Sequence, residues 1–388
     1  MTLDMKRVFY IVFVTITFAF WGCDSNTPHS SNKVVTGVAS EVTSCSAVLS
    51  ATLKIDESQY RNIGVGIMLA ETQEDLVSRK GELVNGTLTN GKKLEGGDFM
   101  VVVRNLLTEK QYFYCAVLFL NNQDYEYGEI KTFTTTKTPT TGKTLFSISK
   151  TKKVLFSPGN LQYQASAKKW RFAENQWECV GQGNENISTK YDGWIDLFGW
   201  STSAGTAAYG VNTSTENKHY SGDFVDWGNN RIGDDVPGLW RTLSYDEWGY
   251  VVYKRPNAES LRGIAQVNGI NGLILLPDNW LCPSGITFKS GCHADYGAEF
   301  YADYQSFSIE QWAVLENEGA VFLPAANVRI GNKVDGNGLY GNYWSSSDVI
   351  IVGKSYNIAS YLTFYSDGSH IAGSFCEYGL SVRLVKDL

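Results

Sequence analysis

The residues of this chain that could carry nucleophilic or metal chemistry are its cysteines and histidines. Near the C-terminus Cys376 has no second cysteine beside it, and no Lys, Arg or His within four residues would lower its pKa. The histidines do not stand at metal-ligand spacing, and Cys282, Cys292 and His293 lack a fourth ligand for zinc. We therefore predict no catalytic residue, no metal and no cofactor, with Cys376 as a buried, inert thiol.

A loop rich in Gly and Asn could hold calcium through carboxylate oxygens. Its acidic residues surround Phe224 and Trp227, and they are Asp223, Asp226, Asp234 and Asp235. Their spacing matches no EF-hand loop, so a solvated acidic loop is the simpler interpretation. No two carboxylates in the chain are singled out as the pair that glycoside hydrolysis needs.

Binding is favoured over catalysis by the segment between Trp344 and Arg383, which is rich in Tyr, Ser, Asn, Asp and Gly. Such a composition is typical of a recognition surface. Exposed rings can stack on a sugar or anchor a protein, while polar groups fix its orientation. The alternative is an ordinary exposed loop whose aromatic residues serve core packing. The candidate ligand-binding residues are Asp348, Tyr356, Asn357, Tyr361, Tyr365, Asp367, His370, Glu377 and Tyr378.

Within this segment, residues 359–365 alternate between apolar and polar or aromatic side chains. A strand with this pattern turns Leu362 and Phe364 to the core. The alternate side chains are predicted to face outward: Tyr361, Thr363 and Tyr365. Residues 366–369 then predict a hairpin turn.

The chain begins with an export signal. Lys6 and Arg7 precede an apolar run at 8–21, which has the length of a signal-peptide core and is too short to span a bilayer. The run ends at Gly22 and Cys23 and a polar stretch follows, which resembles a bacterial lipoprotein signal with Cys23 as the lipidated residue. The alternative is a plain secretory signal. We expect a signal peptide at 1–22 and a tether at 23–34.

Export leaves the other cysteines in a compartment that permits disulfides. Cys282 and Cys292 are close enough in sequence for a loop-closing bridge, and Cys45 could reach Cys115. Cys115 is predicted to point away from the core residue Tyr114, which argues against the second bridge.

Composition narrows the class of partner. The chain has 388 residues, with Lys+Arg 33 against Asp+Glu 40 and a net charge of −7. No basic stripe could displace counterions from a phosphate backbone, so nucleic acid is excluded as a partner. We expect an extracellular glycan or protein partner, and contact with a membrane only through the N-terminal lipid anchor. The predicted location is the cell envelope, as a surface-exposed outer-membrane lipoprotein.

Tryptophan marks a domain boundary, because apart from Trp21 every tryptophan lies between Trp170 and Trp344. Before it, short alternating runs recur at regular spacing, which predicts an all-β sandwich. A Leu six residues before Tyr112 and the run at 127–135 resemble the last two strands of a fibronectin type III-like domain. The resemblance covers 35–136, with Glu109 and Lys110 where that family has Pro-Gly. A polar linker follows at 137–144.

Two capping boxes predict helices in the second domain. Ser244 with Glu247, and Ser308 with Gln311, each precede an apolar stretch that places a Trp inward. Several motifs in order then resemble the Fibrobacter major paralogous domain of Bacteroidetes surface proteins, which is similar to the formylglycine-generating-enzyme branch of the C-type lectin fold. The motifs are WRTLSYDEW at 240–248, GLILLP at 272–277, GAVFLPAA at 319–326, YWSSS at 343–347 and GLSVRLV at 379–385.

That resemblance covers 145–388 and implies a compact α+β, C-type-lectin-like domain whose loops cover one face. Its enzymatic relatives use a pair of cysteines near the C-terminus, and this chain offers Cys376 alone. The expected function is therefore binding without catalysis. The alternative is a structural or adhesive component of the cell envelope or of a surface appendage. Some proteins of this fold are targets of diversity-generating retroelements, and the composition between Trp344 and Arg383 is compatible with that.

Overall fold

A computed structural model describes most of the chain after the predicted signal. The predicted signal peptide, Cys23 and linker residues 137–143 lie outside the described residues. The described residues are 31–43, 46–55, 63–78, 82–84, 98–104, 106–107, 109–120, 124–136, 144–203, 209–291, 301, 304–349 and 357–388.

The first part of the chain is a sandwich of two antiparallel sheets. Its elements are β1 (Val34–Thr36), β2 (Ser46–Leu53), β3 (Ile63–Ala70), helix α1 (Gln73–Val77), β4 (Glu82–Val84), β5 (Asp98–Arg104), β6 (Gln111–Leu120), β7 (Asp124–Tyr127) and β8 (Lys131–Thr134). One sheet has the order β1-β2-β5 and the other β4-β3-β6-β7, with β8 also paired to β6. Apolar residues of both sheets, such as Leu49 and Leu118, meet in one core. The predicted sandwich is confirmed.

The corner before β6, which the Leu six residues before Tyr112 marks in the sequence, is held by a hydrogen bond. The backbone N–H of Leu107 donates to the phenol oxygen of Tyr112 over 2.9 Å, which is the tyrosine corner of immunoglobulin-like sandwiches. Glu109 has a φ of 51°, in the left-handed region that favours glycine. Cys115 is a free, buried thiol that packs away from Tyr112 and Tyr114, as predicted, and Cys45 lies outside the described residues.

The second part of the chain combines several small sheets with short helices. Its strands are β9 (Phe146–Ser147), β10 (Lys153–Phe156), β11 (Leu161–Gln164), β12 (Lys169–Phe172), β13 (Trp194–Ile195), β14 (Arg241–Thr242), β15 (Arg262–Val267), β16 (Ile270–Leu275), β17 (Ser306–Phe307), β18 (Val321–Pro324), β19 (Val328–Ile330), β20 (Lys333–Asp335), β21 (Gly341–Asp348), β22 (Ile358–Tyr365), β23 (Gly368–Phe375) and β24 (Leu384–Asp387). The sheet orders are β14-β24-β10-β9, β12-β11-β13, β17-β15-β16-β18, β19-β20 and β21-β22-β23.

Both predicted capping boxes are confirmed. Helix α2 (Tyr245–Gly249) begins after Ser244, whose side chain accepts from the Glu247 N–H while the Glu247 carboxylate accepts from the Ser244 N–H. A π-helical turn (Tyr250–Lys254) continues α2. Helix α3 (Ile309–Asn317) has the same arrangement at Ser308. The second domain also contains 3₁₀ helices at Gly181–Asn186, Asn217–Tyr220 and Trp227–Asn229.

Aromatic packing forms much of this second core. Trp227, Trp248, Trp312 and Trp344 are fully buried. The Trp344 indole N–H donates to the carbonyl oxygen of Phe198 over 2.7 Å, which ties β21 to a distant loop. Large rings bury much apolar area on few regular elements, and their N–H groups need such partners.

The sheet β21-β22-β23 is covered on both faces along most of β22. Leu362 and Phe364 face the core, as predicted. The prediction that Thr363 faces outward is wrong, since Thr363 is fully buried. Because β22 is the central strand, Thr363 lies between its cross-strand neighbours Asn342 and His370. In the described part of the chain, no helix is both long and apolar enough to cross a membrane.

Candidate functional site

The predicted ligand-binding residues lie at opposite ends of β22. One group lies at the turn that joins β22 to β23: Tyr365, Asp367 and His370. A second group lies near the other end: Asp348, Asn357, Glu377 and Tyr378. A strand rises about 3.3 Å per residue, which separates Asn357 from Tyr365 by about 26 Å. Tyr356 and Cys23 lie outside the described residues.

The group near Asn357 is engaged in holding the fold. The Asn217 side-chain N–H donates to the carbonyl oxygen of Asn357 over 2.9 Å and also to the Glu377 carboxylate. In return the Asn357 side chain donates to the carbonyl oxygen of Asn217 over 3.2 Å. Tyr378 is half-buried, and its ring meets that of Phe375 edge-on with the centroids 5.7 Å apart. Asp348 is exposed at the end of β21.

Tyr361 belongs to the packing beneath the sheet. It is half-buried, and its ring meets Trp344 edge-on at 6.1 Å. Burial raises the pKa of its phenol, with a smaller contribution from Tyr365. Tyr361 therefore supports the sheet, and its ring offers a ligand less surface than Tyr365 does.

Three neighbouring rings form what we call the aromatic row: Tyr365 and His370, which are exposed at the hairpin between β22 and β23, and Tyr340, which is half-buried just before β21. The rings of Tyr365 and His370 are 6.1 Å apart and within 19° of parallel. Tyr340 approaches Tyr365 from the β21 side at 5.9 Å. Tyr365 is 40% exposed and His370 is also exposed. The exposed face of either ring offers an apolar surface on which a sugar or a planar group can stack.

Gly341 lets the backbone bring the rings of Tyr340 and Tyr365 together. Gly341 pairs with Phe364, and a Cβ at Gly341 would lie 2.1 Å from the Phe364 ring. Gly341 thus permits the close approach that places Tyr340 beside Tyr365. The Tyr340 phenol donates to the carbonyl oxygen of Asp335 over 3.0 Å, which fixes its ring. Burial raises the pKa of Tyr340, so it stays a neutral donor at physiological pH.

The free edge of β23 is contacted by the π-helical turn that follows α2. The Tyr253 phenol donates to the carbonyl oxygen of Ser369 over 2.9 Å. Tyr253 is 45% exposed, and the Arg262 guanidinium lies over its ring, 5.5 Å from the centroid. Tyr245 is 50% exposed and lies close enough to Tyr253 to contribute to the raised pKa of its phenol. π-Helical turns are frequent at functional sites.

Among the described residues, the buried cysteines offer no activated thiol. Cys376 is fully buried, and burial raises its pKa. Burial also raises the pKa of Cys115 to about 11. A thiol with a raised pKa is a poor nucleophile. Cys282 is free and exposed, so the expected bridge to Cys292, which lies outside the described residues, is not formed.

The acidic loop is not solvated as a whole, because two of its four carboxylates accept hydrogen bonds within the protein. The Asp226 carboxylate accepts from the N–H of Gly228 and from the N–H and hydroxyl of Thr242, at 2.9–3.0 Å. Asp235 accepts from the indole N–H of Trp240 over 2.8 Å. Asp223 and Asp234 are exposed. Within the described residues, no three His, Cys, Asp or Glu side chains gather as a metal site.

Sequence reasoning missed Tyr340, Tyr253 and Arg262. Tyr253 had a usable signal, because it stands eight residues after Tyr245 and so returns to the same side of a helix. Tyr340 had none, since its place beside Tyr365 depends on the register of β21 against β22. Arg262 belongs to a different sheet and reaches Tyr253 only through tertiary packing.

Comparison with known proteins yields similarity to solved structures over less than a third of the chain. No protein-family model and no curated protein matches it. The fibronectin type III domain of human fibronectin type III domain containing protein 3 is 16% identical, covering 31% of this chain and 100% of that one, with a TM-score of 0.21. The fibronectin type III domain of human contactin 1 is 14% identical, covering 30% and 93%, with a TM-score of 0.17. The sensor domain of the anti-sigma factor RsgI4 of Pseudobacteroides cellulosolvens is 20% identical, covering 27% and 93%, with a TM-score of 0.21.

Proposed function

We propose that this protein is an exported, lipid-anchored binding protein whose second domain is C-type-lectin-like and binds an extracellular carbohydrate without catalysis. The observation that carries the proposal is the aromatic row, with the Tyr365 and His370 rings 6.1 Å apart and within 19° of parallel. An exposed aromatic ring can stack on the apolar face of a pyranose, and the second ring beside it supports its orientation. Asp367, exposed in the adjoining turn, supplies a carboxylate for sugar hydroxyls.

The rigid sheet beneath the aromatic row and the buried thiols also support the proposal. The β21-β22-β23 sheet holds Tyr365 through Phe364, which is buried, so the ring is presented from a rigid element. A ligand that stacks on a preformed ring loses little conformational entropy from the protein. The buried thiols Cys115 and Cys376 support a binding role over a thiol-dependent reaction.

Anchoring is a separate part of the proposal. Lys6 and Arg7 before an apolar run that ends at Cys23 support lipidation of Cys23 and placement in the outer membrane. Metabolic labelling with a palmitate analogue should mark the wild-type protein and leave Cys23→Ala unmarked. Protease digestion of whole cells would then test whether the second domain faces outward.

The experiment on the site is a glycan array with the full chain, followed by calorimetric titration of the best sugar. We expect Tyr365→Ala to weaken binding about tenfold or more, since interface aromatic hot spots contribute more than 1.4 kcal/mol. The matched control is Tyr125→Ala, because Tyr125 is likewise 40% exposed but lies in the first sandwich. Thermal unfolding of each variant verifies that the fold is kept.

Two outcomes would contradict the proposal. If a folded wild-type protein binds no glycan but retains a cell-surface protein in a pull-down that Tyr365→Ala abolishes, the row is a protein-binding site. If the chain binds neither and assembles into polymers in sedimentation experiments, the structural or adhesive alternative is correct.

A further inference from the structure

We infer that Arg262, held against Tyr253 beside the free edge of β23, forms a subsite for the anionic group of an acidic glycan. The inference deepens the proposed function and rests on it, because it places a uronate, sialate or sulfate next to the sugar on the aromatic row. Its basis is the hydrogen bonding of one guanidinium group.

Arg262 is fixed at one end and open at the other. Its Nη1 donates to the carbonyl oxygen of Val252, and its guanidinium carbon lies 5.5 Å from the Tyr253 ring centroid. Across the described residues, its Nε and Nη2 have no protein acceptor and no carboxylate forms an ion pair with it. The Nε–Nη2 edge presents two parallel N–H groups, which match the two oxygens of a carboxylate or sulfate.

Other half-buried arginines of the second domain are already paired with carboxylates. Arg241 binds both Glu247 and Asp387. Arg171 binds Glu174 over 3.0 Å. Arg262 is half-buried like these two arginines, but within the described structure its Nε and Nη2 atoms have no acceptor. A half-buried guanidinium with an unused donor edge keeps its N–H groups available to a carboxylate or sulfate of a ligand.

The position of Arg262 connects it to the aromatic row. Tyr253, which its guanidinium covers, donates to the carbonyl oxygen of Ser369, and Ser369 precedes His370. In a two-residue hairpin the closing pair Tyr365 and Gly368 exchange hydrogen bonds, so Ser369 turns its backbone groups to the outer edge. Arg262 and the row therefore lie on adjoining surfaces, within reach of consecutive sugar residues.

Charge gives the subsite its selectivity. The chain carries a net charge of −7, so its overall field repels an anionic ligand. A local guanidinium stacked on a tyrosine can still bind an anion at a separation shorter than the Debye length of about 8 Å, and salt weakens this attraction because the site is partly exposed. The ligand class that fits both features is a glycan with an isolated carboxylate or sulfate, rather than a dense polyanion.

The test compares matched acidic and neutral sugars on the full chain. The probes are trigalacturonate with its carboxyl-reduced form, and sialyllactose with lactose. We expect at least one acidic probe to bind about tenfold more tightly than its neutral partner, with affinity that falls as salt rises. Arg262→Gln should reduce the ratio of acidic to neutral affinity from about ten to about one. Arg231→Gln, an exposed arginine elsewhere, is the control.

The possible results separate this inference from the proposed function. Equal affinity of the wild type for acidic and neutral probes, with Tyr365→Ala weakening both, overturns the subsite and keeps carbohydrate binding. Binding of neither probe class, nor of any arrayed glycan, overturns carbohydrate binding itself. Arg262→Gln also removes the contact with Tyr253. The salt dependence of acidic-probe affinity in the wild type therefore tests the subsite without a variant. A salt-independent acidic affinity contradicts the subsite.

Discussion

Asn217 and Asn357 hold each other through reciprocal hydrogen bonds between a 3₁₀ helix and the start of β22. Asn217 donates to the Asn357 carbonyl over 2.9 Å and accepts from the Asn357 N–H through its own side chain. The Asn357 side chain returns a bond of 3.2 Å. Asn357 thus helps to hold the fold, and its role in ligand binding stays a prediction.

The hydrogen bonds of this pair predict that Asn217→Ala is less stable than Asn357→Ala. Asn217→Ala removes side-chain bonds to both Asn357 and Glu377, and should lower the free energy of unfolding by about 2–3 kcal/mol. Asn357→Ala removes one side-chain bond and should lower it by about 1 kcal/mol. Denaturant unfolding followed by tryptophan fluorescence measures both, because the tryptophans other than Trp21 belong to this domain. Sugar affinity should stay unchanged in Asn357→Ala. A marked loss of affinity would show that Asn357 takes part in ligand binding.

His370 tests whether ring stacking or hydrogen bonding matters in the aromatic row. Removing the ring with His370→Ala should weaken sugar binding about two- to tenfold, the effect of losing one aromatic partner of Tyr365. His370→Phe keeps a ring beside Tyr365 and should weaken binding less. Calorimetric titration compares the two, and equal losses in both would point to an imidazole hydrogen bond instead.

The tyrosine corner makes a prediction for the first domain. Tyr112→Phe removes the acceptor of the Leu107 N–H and should destabilise this domain by about 1 kcal/mol. The domain lacks tryptophan, so hydrogen exchange of peptides from β2 and β6 is the measurement, with about fivefold faster exchange expected. Tyr125→Phe, at a tyrosine that is 40% exposed, is the control and should leave exchange unchanged.

The sequence predicted those features that depend on local chemistry. The capping boxes at Ser244 and Ser308, the inward Trp248 and the corner at Tyr112 follow from short spacings that bring their partners together directly. The alternation in β22 correctly predicted that Leu362 faces the core. It failed at Thr363, because alternation assumes one solvated face and β22 is covered on both along most of its length.

The candidate site could be predicted only in part, for a different reason. Tyr365 and His370 are separated by a short hairpin, so the turn itself brings them together. Composition alone could not exclude Asn357, whose partner Asn217 stands 140 residues away. Tyr340 and Arg262 reach the site through strand register and through contacts between sheets, which leave no local pattern in the chain.

Thiol reactivity checks the absence of an activated cysteine. In the native protein, N-ethylmaleimide should modify Cys282, which is exposed, and spare Cys115 and Cys376, which are buried with raised pKa values. Peptide mass spectrometry assigns each site, and denaturant should expose the two protected thiols. Cys282→Ser should remove the fast modification. Native labelling of Cys376 at a comparable rate would reopen the possibility of thiol chemistry there.

Asp196 predicts a pH dependence of stability for the second domain. Its fully buried carboxylate accepts from the Val180 N–H over 2.9 Å and from the Asn184 side chain over 2.8 Å, yet burial outweighs these bonds and raises its pKa to about 6. The unfolded carboxyl titrates near about 3.9. Between these values the folded state holds the proton more tightly, so this group stabilises the fold at low pH.

The stabilising contribution of Asp196 is complete below about pH 4 and is lost as pH rises through about 6, a change of about 3 kcal/mol. Other carboxyls also titrate in this range, and burial raises the pKa of Asp226 as well. The informative quantity is therefore the difference in unfolding free energy between the wild type and Asp196→Asn, which cannot titrate. That difference should shift in favour of the wild type as pH falls from about 7 to about 4. A difference that stays flat with pH, or shifts the other way, would show that Asp196 remains ionised in the folded protein.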